Sequence, residues 1–190
     1  DIYEIYGKHV VPGYVAGYTR IGLTEISAVK QTNDHSEIGD INPNVRANVA
    51  YNPDSDLIPV TRSNGILTVN SAPSSGRISG QSSVMLLDGW TWEDATLKHP
   101  AALNINWPYM YVNYDKNRKK NDKIQKDEYK QQVRDLNQLI QNVRAYHKRR
   151  SAKERKAEHK QKTDLRLESM IPFVIYKEPI HVKADDIRQI

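Results

Sequence analysis

Apolar and β-favouring residues run without interruption from Tyr14 to Thr19, directly after the turn pair Pro12-Gly13, and this pattern predicts a buried strand. Upstream, Asp1 to Tyr6 alternates and predicts another strand, broken by Gly7. Two Asn-Pro turns follow, Asn42-Pro43 and Asn52-Pro53. The second predicts a helix with Asp54 or Ser55 as its N-cap and Gly65 as its stop. Ile66 to Asn70 is then a short buried strand. Helix, glycine stop and parallel strand form the repeating unit of a β/α barrel.

The stretch Ser71–Ser83 is rich in glycine and serine and predicts a loop after the end of that strand, the functional face of a barrel. It lacks the Lys and spacing of a phosphate-binding P-loop. Alternation places Trp90 and Trp92 on one strand face, where core packing outweighs a sugar-stacking role. A helix to Lys98 follows, and after it comes Leu103-Asn104-Ile105-Asn106-Trp107-Pro108. Farther on, Tyr129, Val133, Leu136, Ile140 and Val143 recur at spacings of four and three, an apolar helical stripe. Beyond Tyr146 the stripe fades into a charged helix whose only apolar residues are Ala152 and Ala157, with His147 and His159 read as surface residues. The first part of this insertion is expected to dock, and the second to project as an arm toward an acidic surface.

Leu165, Leu167, Met170, Ile171 and Val174 predict one more helix, kinked or cut short by Pro172. Pro179 to Asp186 then reads as a strand passing into a helix from Asp186 to Ile190.

Charge changes this picture at one place. The chain has 190 residues, a net charge of +5, 38% hydrophobic and 27% charged residues, and a mean hydropathy of −0.73. Residues 116–162 hold 17 Lys or Arg against 6 Asp or Glu, so a mildly acidic body carries one basic insertion. The absence of cysteine excludes disulfides and thiolate metal sites. No apolar run reaches membrane-spanning length, and the first residues do not open a signal peptide. His35, between Asp34 and Glu37, looks like a metal site but reads better as a solvated polar loop, and no H-E-x-x-H spacing occurs.

Several motifs carry a family resemblance. Lys8-His9-Val10-Val11-Pro12-Gly13 leading into Ala16-Gly17-Tyr18-Thr19-Arg20-Ile21-Gly22 resembles the K-H-V-x-P-G turn and D-A-H-T-H-x-G strand end of the imidazolonepropionase-like branch of the amidohydrolase superfamily. Arg62-Ser63-Asn64-Gly65 matches the family's helix end. Gly76-Arg77-Ile78-Ser79-Gly80-Gln81-Ser82-Ser83 matches its G-x-I-S-G-x-S-S loop. Leu87-Asp88-Gly89-Trp90-Thr91-Trp92-Glu93-Asp94 and Asn106-Trp107-Pro108 follow in the family's order.

The resemblance covers residues 1–112 and 163–190. It implies an α/β fold: part of a (β/α)8 TIM-type barrel, with a long basic helical insertion. Residues 1–12 would be the last strand of a flanking β-sandwich and a linker, 13–112 the first part of the barrel, 113–162 the insertion and 163–190 the barrel's continuation.

The same resemblance implies where the chemistry would be. Tyr18 and Arg20 occupy the places of two metal-binding His, and Lys183 that of another, with His181 one layer deeper on the same strand face. Tyrosine binds a metal only as phenolate, and guanidinium has no lone pair to give. A carboxylated Lys183 could bridge metals only with imidazole partners that are missing here, so an uncarboxylated cation, free in a polar cavity or paired with Asp185, is expected. Ser79, Gly80, Gln81 and His181 are candidates for lining a cavity.

Three readings follow. The first is an amidohydrolase-like segment that has lost its metal site, has no cofactor, and serves as a binding or scaffold subunit. The second is a metal-dependent hydrolase of amide or cyclic amide C–N bonds that draws Zn²⁺ ligands from outside this segment. The third takes the basic helix as a binder of an acidic protein partner or of nucleic acid, though alternating acids and the lack of interleaved aromatics disfavour nucleic acid. A half-made barrel leaves open sheet edges, so the remainder of the barrel, from the same or another polypeptide, is an expected partner. The resemblance alone favours an extracytoplasmic location, periplasmic or associated with an outer membrane.

Overall fold

The computed structural model describes residues 3–110, 122–155 and 162–189. Among these, the chain is a mixed α/β fold of two small sheets and four α-helices. Strand β1 (Tyr14–Thr19) pairs in parallel with β2 (Ile66–Ser71), joined through helix α1 (Leu57–Ser63). The N-cap of α1 is Asp56 and not the expected Asp54 or Ser55, and its side chain makes no capping bond; Ser55, one residue earlier, accepts the Leu57 N–H at 3.3 Å and donates to Glu25 at 2.8 Å. Ile58 packs with Val69 and Tyr51 beneath this sheet.

The Gly/Ser-rich stretch departs from its expected loop. It forms β3 (Ile78–Gln81) and β4 (Ser83–Leu86), one extended run interrupted at Ser82. Strand β4 lies antiparallel between β2 and β5 (Thr96–Lys98), and β3 lies antiparallel to β6 (Leu103–Asn106). On its other side β3 bridges Ile41 and Arg46, and the Gln81 backbone bonds Val45 and Ala47. Backbone bonds between Ser82 and Ala101–Ala102 carry the ladder across the break. Small side chains make this possible: they let backbone pass on both flanks, and all of Ile78–Ser83 is buried. Gly80 has φ +133, and a Cβ there would lie 2.8 Å from the Val45 carbonyl oxygen.

Two further expectations are corrected nearby. The helix to Lys98 is one turn, α2 (Trp92–Ala95), capped by the Thr91 hydroxyl, and the chain then enters β5. Trp90 and Trp92 do not share a strand face. Trp90 is 92% exposed in the preceding loop, while Trp92 packs beside Ala95 and Met85.

The second sheet adds β7 (Ile180–Lys183), parallel to β6 with Asn104 opposite His181 and Asn106 opposite Lys183. Between these strands run the 34-residue helix α3 (Asp122–Arg155) and helix α4 (Leu165–Val174). Asp164 caps α4 through the Arg166 and Leu167 N–H groups, and Pro172, which has no N–H to donate, precedes the helix end by two residues. The α3 stripe meets α4 and the sheet through Leu136, Leu139, Val143 and Tyr146, packed with Ile78, Leu103, Met170 and Phe173. Ile140 is only half-buried and lies outside that cluster, so the buried stripe is rotated slightly from the expected one. The helix continues unbroken past Tyr146, where Arg150 forms an ion pair with Glu168 of α4. The remainder of the expected charged arm, with His159, lies outside the described residues.

The strand expected over Asp1–Tyr6 does not form in its described part. Residues 3–13 are irregular and exposed, because nothing in the described chain offers them a sheet neighbour. At the other end, the helix expected from Asp186 is a single 3-10 turn, Ile187–Gln189.

Leu136→Ala is expected to lower stability by about 2–5 kcal/mol, and Ile140→Ala by clearly less, as read by chemical denaturation. Gly80→Ala should cost about 2 kcal/mol or more in the same assay, because both the backbone angle and the Val45 carbonyl oppose a Cβ.

Candidate functional site

Strand β1 ends in a pinned turn. The Ile21 N–H donates to the Thr19 hydroxyl at 3.3 Å, the Ser71 hydroxyl donates to the Ile21 carbonyl at 2.7 Å, and Leu23 is buried behind them. Gly22 is needed here, since it has φ +77 and a Cβ would fall 2.3 Å from the Tyr51 ring. This turn holds Tyr18 and Arg20 at the C-terminal end of the strand.

Tyr18 reaches across to the other sheet. Its ring stacks on His181 of β7, with centroids 4.7 Å apart and planes inclined by 25°. The two sheets therefore touch through side chains of their outermost strands. Burial raises the Tyr18 pKa, against a smaller opposing effect of the Arg20 charge, so the phenol stays protonated at neutral pH. The same guanidinium acts on His35, whose pKa is lowered first by burial and then by Arg20, with Asp34 pulling the other way. His35 is held by a 2.8 Å hydrogen bond between Nδ1 and the Thr24 hydroxyl.

Lys183 follows His181 by two positions and shares its strand face. Its side chain is exposed, and its carbonyl accepts from the Trp107 N–H at 2.8 Å. The expected partner Asp185 does not pair with it: the Asp185 N–H turns instead to the Gln189 side chain. Among the described residues, neither Arg20 nor Lys183 has a carboxylate within ion-pair distance. Tyr18, Arg20, His35 and His181 thus form one neighbourhood, with Lys183 at the end of the same strand as His181.

The other predicted lining residues are taken up by the protein itself. The Ser79 hydroxyl accepts from Asn106 at 3.1 Å, and the Gly80 carbonyl accepts from Asn104 at 3.1 Å. Gln81 donates to the Pro43 and Ser169 carbonyls. Asn104 and Asn106 were missed by sequence reasoning, although the alternation Leu103-Asn104-Ile105-Asn106 was a signal that two amides share a strand face. Asn106 also grips the preceding turn, donating to the Gly76 carbonyl at 2.6 Å. Asn104 keeps a buried Oδ1 with no partner beside His181.

A second polar group lies where the sheets join. His99 Nε2 accepts from Arg46 Nε at 3.0 Å, so the neutral ring carries its hydrogen on Nδ1 and gives it to the Ser83 hydroxyl at 2.8 Å. Ser83 is wholly buried and also accepts the Asn48 N–H, so it is a structural hydroxyl and no nucleophile. Burial, and then the Arg46 charge, lower the His99 pKa to about 4, against a smaller opposing bond from Ser82.

Tyr18, Arg20 and Lys183 are poor ligands for a divalent metal, which leaves the His35 and His181 imidazoles as the lone-pair donors of this neighbourhood. A neutral phenol, a guanidinium and an ammonium group offer no lone pair under positive potential. Among the described residues, no three His, Asp or Glu side chains gather in a metal-binding cluster. No helix of the described residues is long and apolar enough to cross a membrane. A cleft of about 630 Å³ elsewhere, beside the start of α4, is lined by Tyr146, Arg149, Lys162 and Arg166 and shares no residue with this site.

No protein-family model and no curated protein matches the chain. Its structure is similar to that of an amidohydrolase from Thermotoga maritima MSB8, with a TM-score of 0.76 and 22% sequence identity over 99% of this chain. The chain spans about half of that protein, 50% of its length. At this identity the likeness shows a shared fold.

The pKa of His99 sets an acid limit. Above about pH 6.5 the ring is neutral in both the folded and the unfolded chain. As pH falls from about 6.5 through about 4, the unfolded chain takes up a proton that the folded chain resists, so stability is lost across that window. After allowance for solvent screening, the loss is on the order of 1–2 kcal/mol. His99→Gln should flatten that part of the stability–pH curve, measured by denaturation at a series of pH values.

Proposed function

We propose that this chain is half of a barrel of the amidohydrolase type, in its imidazolonepropionase-like branch, which has lost its metal site and serves as a binding or scaffold subunit. The observation that carries this reading is the pairing of Tyr18 and Arg20 at the end of β1, a neutral phenol and a guanidinium charge at the positions that the family resemblance assigns to ligating groups.

The barrel part of the reading draws on two parallel strand pairs, β1–β2 and β6–β7, each joined through helix. It also draws on what their outer edges expose. Tyr14 and Val15 of β1 are 62% and 67% exposed, and Ile180 and Val182 of β7 are 43% and 46% exposed. Open strand edges with exposed apolar residues call for further strands. In this reading, the same or another polypeptide supplies them. The exposed basic residues of α3 are then a surface for an acidic protein partner rather than nucleic acid, since acidic residues alternate with them and the basic stretch beyond Tyr146 carries no Tyr, Trp or Phe.

A second reading, an active hydrolase, is favoured by one fact. The chain spans only half of a solved protein whose own name is amidohydrolase, so ligands for a metal could lie in strands beyond this segment. In that case the metal would act on water and the scissile amide.

Elemental analysis of the purified, dialysed protein separates the two. The proposed function predicts no stoichiometric Zn²⁺, Mn²⁺ or Fe²⁺. One or two retained equivalents would defeat it and make Lys183 a ligand candidate.

A further inference from the structure

The side chains that repel a cation form a site of the opposite preference. We propose that the C-terminal ends of β1 and β7 bind a small organic carboxylate, anchored by Arg20 and assisted by Lys183. This rests on the reading of the site as free of metal.

Arg20 and Lys183 are both exposed and, among the described residues, have no carboxylate to neutralise them. Each follows by two residues, at its own strand's end, one of the rings Tyr18 and His181 that stack 4.7 Å apart, so strand period puts both cations on the side of that aromatic pair. Tyr18 remains 38% exposed, which leaves part of that pair open to a planar ligand. Guanidinium suits a carboxylate in particular, because its planar donors meet both oxygens at once. The Tyr18 hydroxyl, kept protonated, is a hydrogen-bond donor to an anion instead of a competing charge. His35 is held toward its neutral form by burial and then by the Arg20 charge, and the guanidinium itself stays charged.

Benzoate is a suitable probe, with benzamide as its uncharged match and inorganic phosphate as the alternative anion. They are titrated into EDTA-treated protein of verified metal content and followed by calorimetry or NMR. Benzoate should bind saturably with a Kd on the order of millimolar or tighter, and benzamide about ten-fold more weakly or worse. Arg20→Gln should weaken benzoate by at least about ten-fold at an unchanged melting temperature. Arg20→Lys should retain part of the affinity, and Lys183→Gln should reduce it; these variants keep the test open if Arg20→Gln fails to fold. Equal binding of benzoate and benzamide, a folded Arg20→Gln with full affinity, tighter phosphate binding, or no saturation would overturn the proposal. Stoichiometric metal in the untreated protein would instead overturn the reading beneath it, so the two failures are distinguishable.

Discussion

The extended run from Ile78 to Leu86 holds the molecule together. Its first half belongs to one sheet and its second half to the other, and Ser82 keeps the ladder going between them. A buried backbone with neighbours on both sides must have its polar groups paired. Here nearly every pairing also positions something else. Ser83 ties His99 and the Asn48 backbone, Gln81 ties Pro43 to Ser169 of α4, and Asn106 reaches back to Ser79 and Gly76. Without this seam, β1 and β7 would belong to separate bodies, and the contact between Tyr18 and His181 would have no fixed geometry.

That seam was also the least legible part of the sequence. Helices α3 and α4 were readable because long apolar side chains recur there at helix period, α1 from its turn and glycine stop, and β1 and β2 from short apolar runs, although β1, expected to be buried, is mostly exposed. The seam is built from Ser, Gly and Gln, the composition of a loop. Local pattern cannot show that close approach of backbone on both flanks selects small residues. The Asp1–Tyr6 strand failed for the converse reason. Its alternation was real, but a strand needs a neighbour, and periodicity does not reveal whether one is present. The rotation of the α3 stripe from Ile140 toward Leu139 is a smaller error of the same kind, set by the neighbour and not by the helix.

At the candidate site the sequence carried more. Strand period placed Tyr18 with Arg20 and His181 with Lys183, but it had no means of pairing one strand with the other across the sheets. The expected Lys183–Asp185 pair followed from sequence proximity and does not form; the Asp185 backbone N–H donates to the Gln189 side chain. The His99 group escaped notice because its partners, Arg46 and Ser83, lie 53 and 16 residues away.

The exchange of metal-binding groups for cations changes what such a site can do. A bound metal concentrates positive charge on a point with open coordination, and so it can lower the pKa of a water and polarise a carbonyl. A guanidinium spreads its charge over a plane of hydrogen-bond donors and takes no lone pair. It can hold an anion in one orientation, but it has no vacancy in which to activate a nucleophile. Tyr18 is kept protonated and stacks on His181, and His35, held toward its neutral form partly by the Arg20 charge, is bonded through Nδ1 to Thr24. In the proposed reading, positive potential at the strand ends serves to hold an anion, and recognition takes the place of turnover.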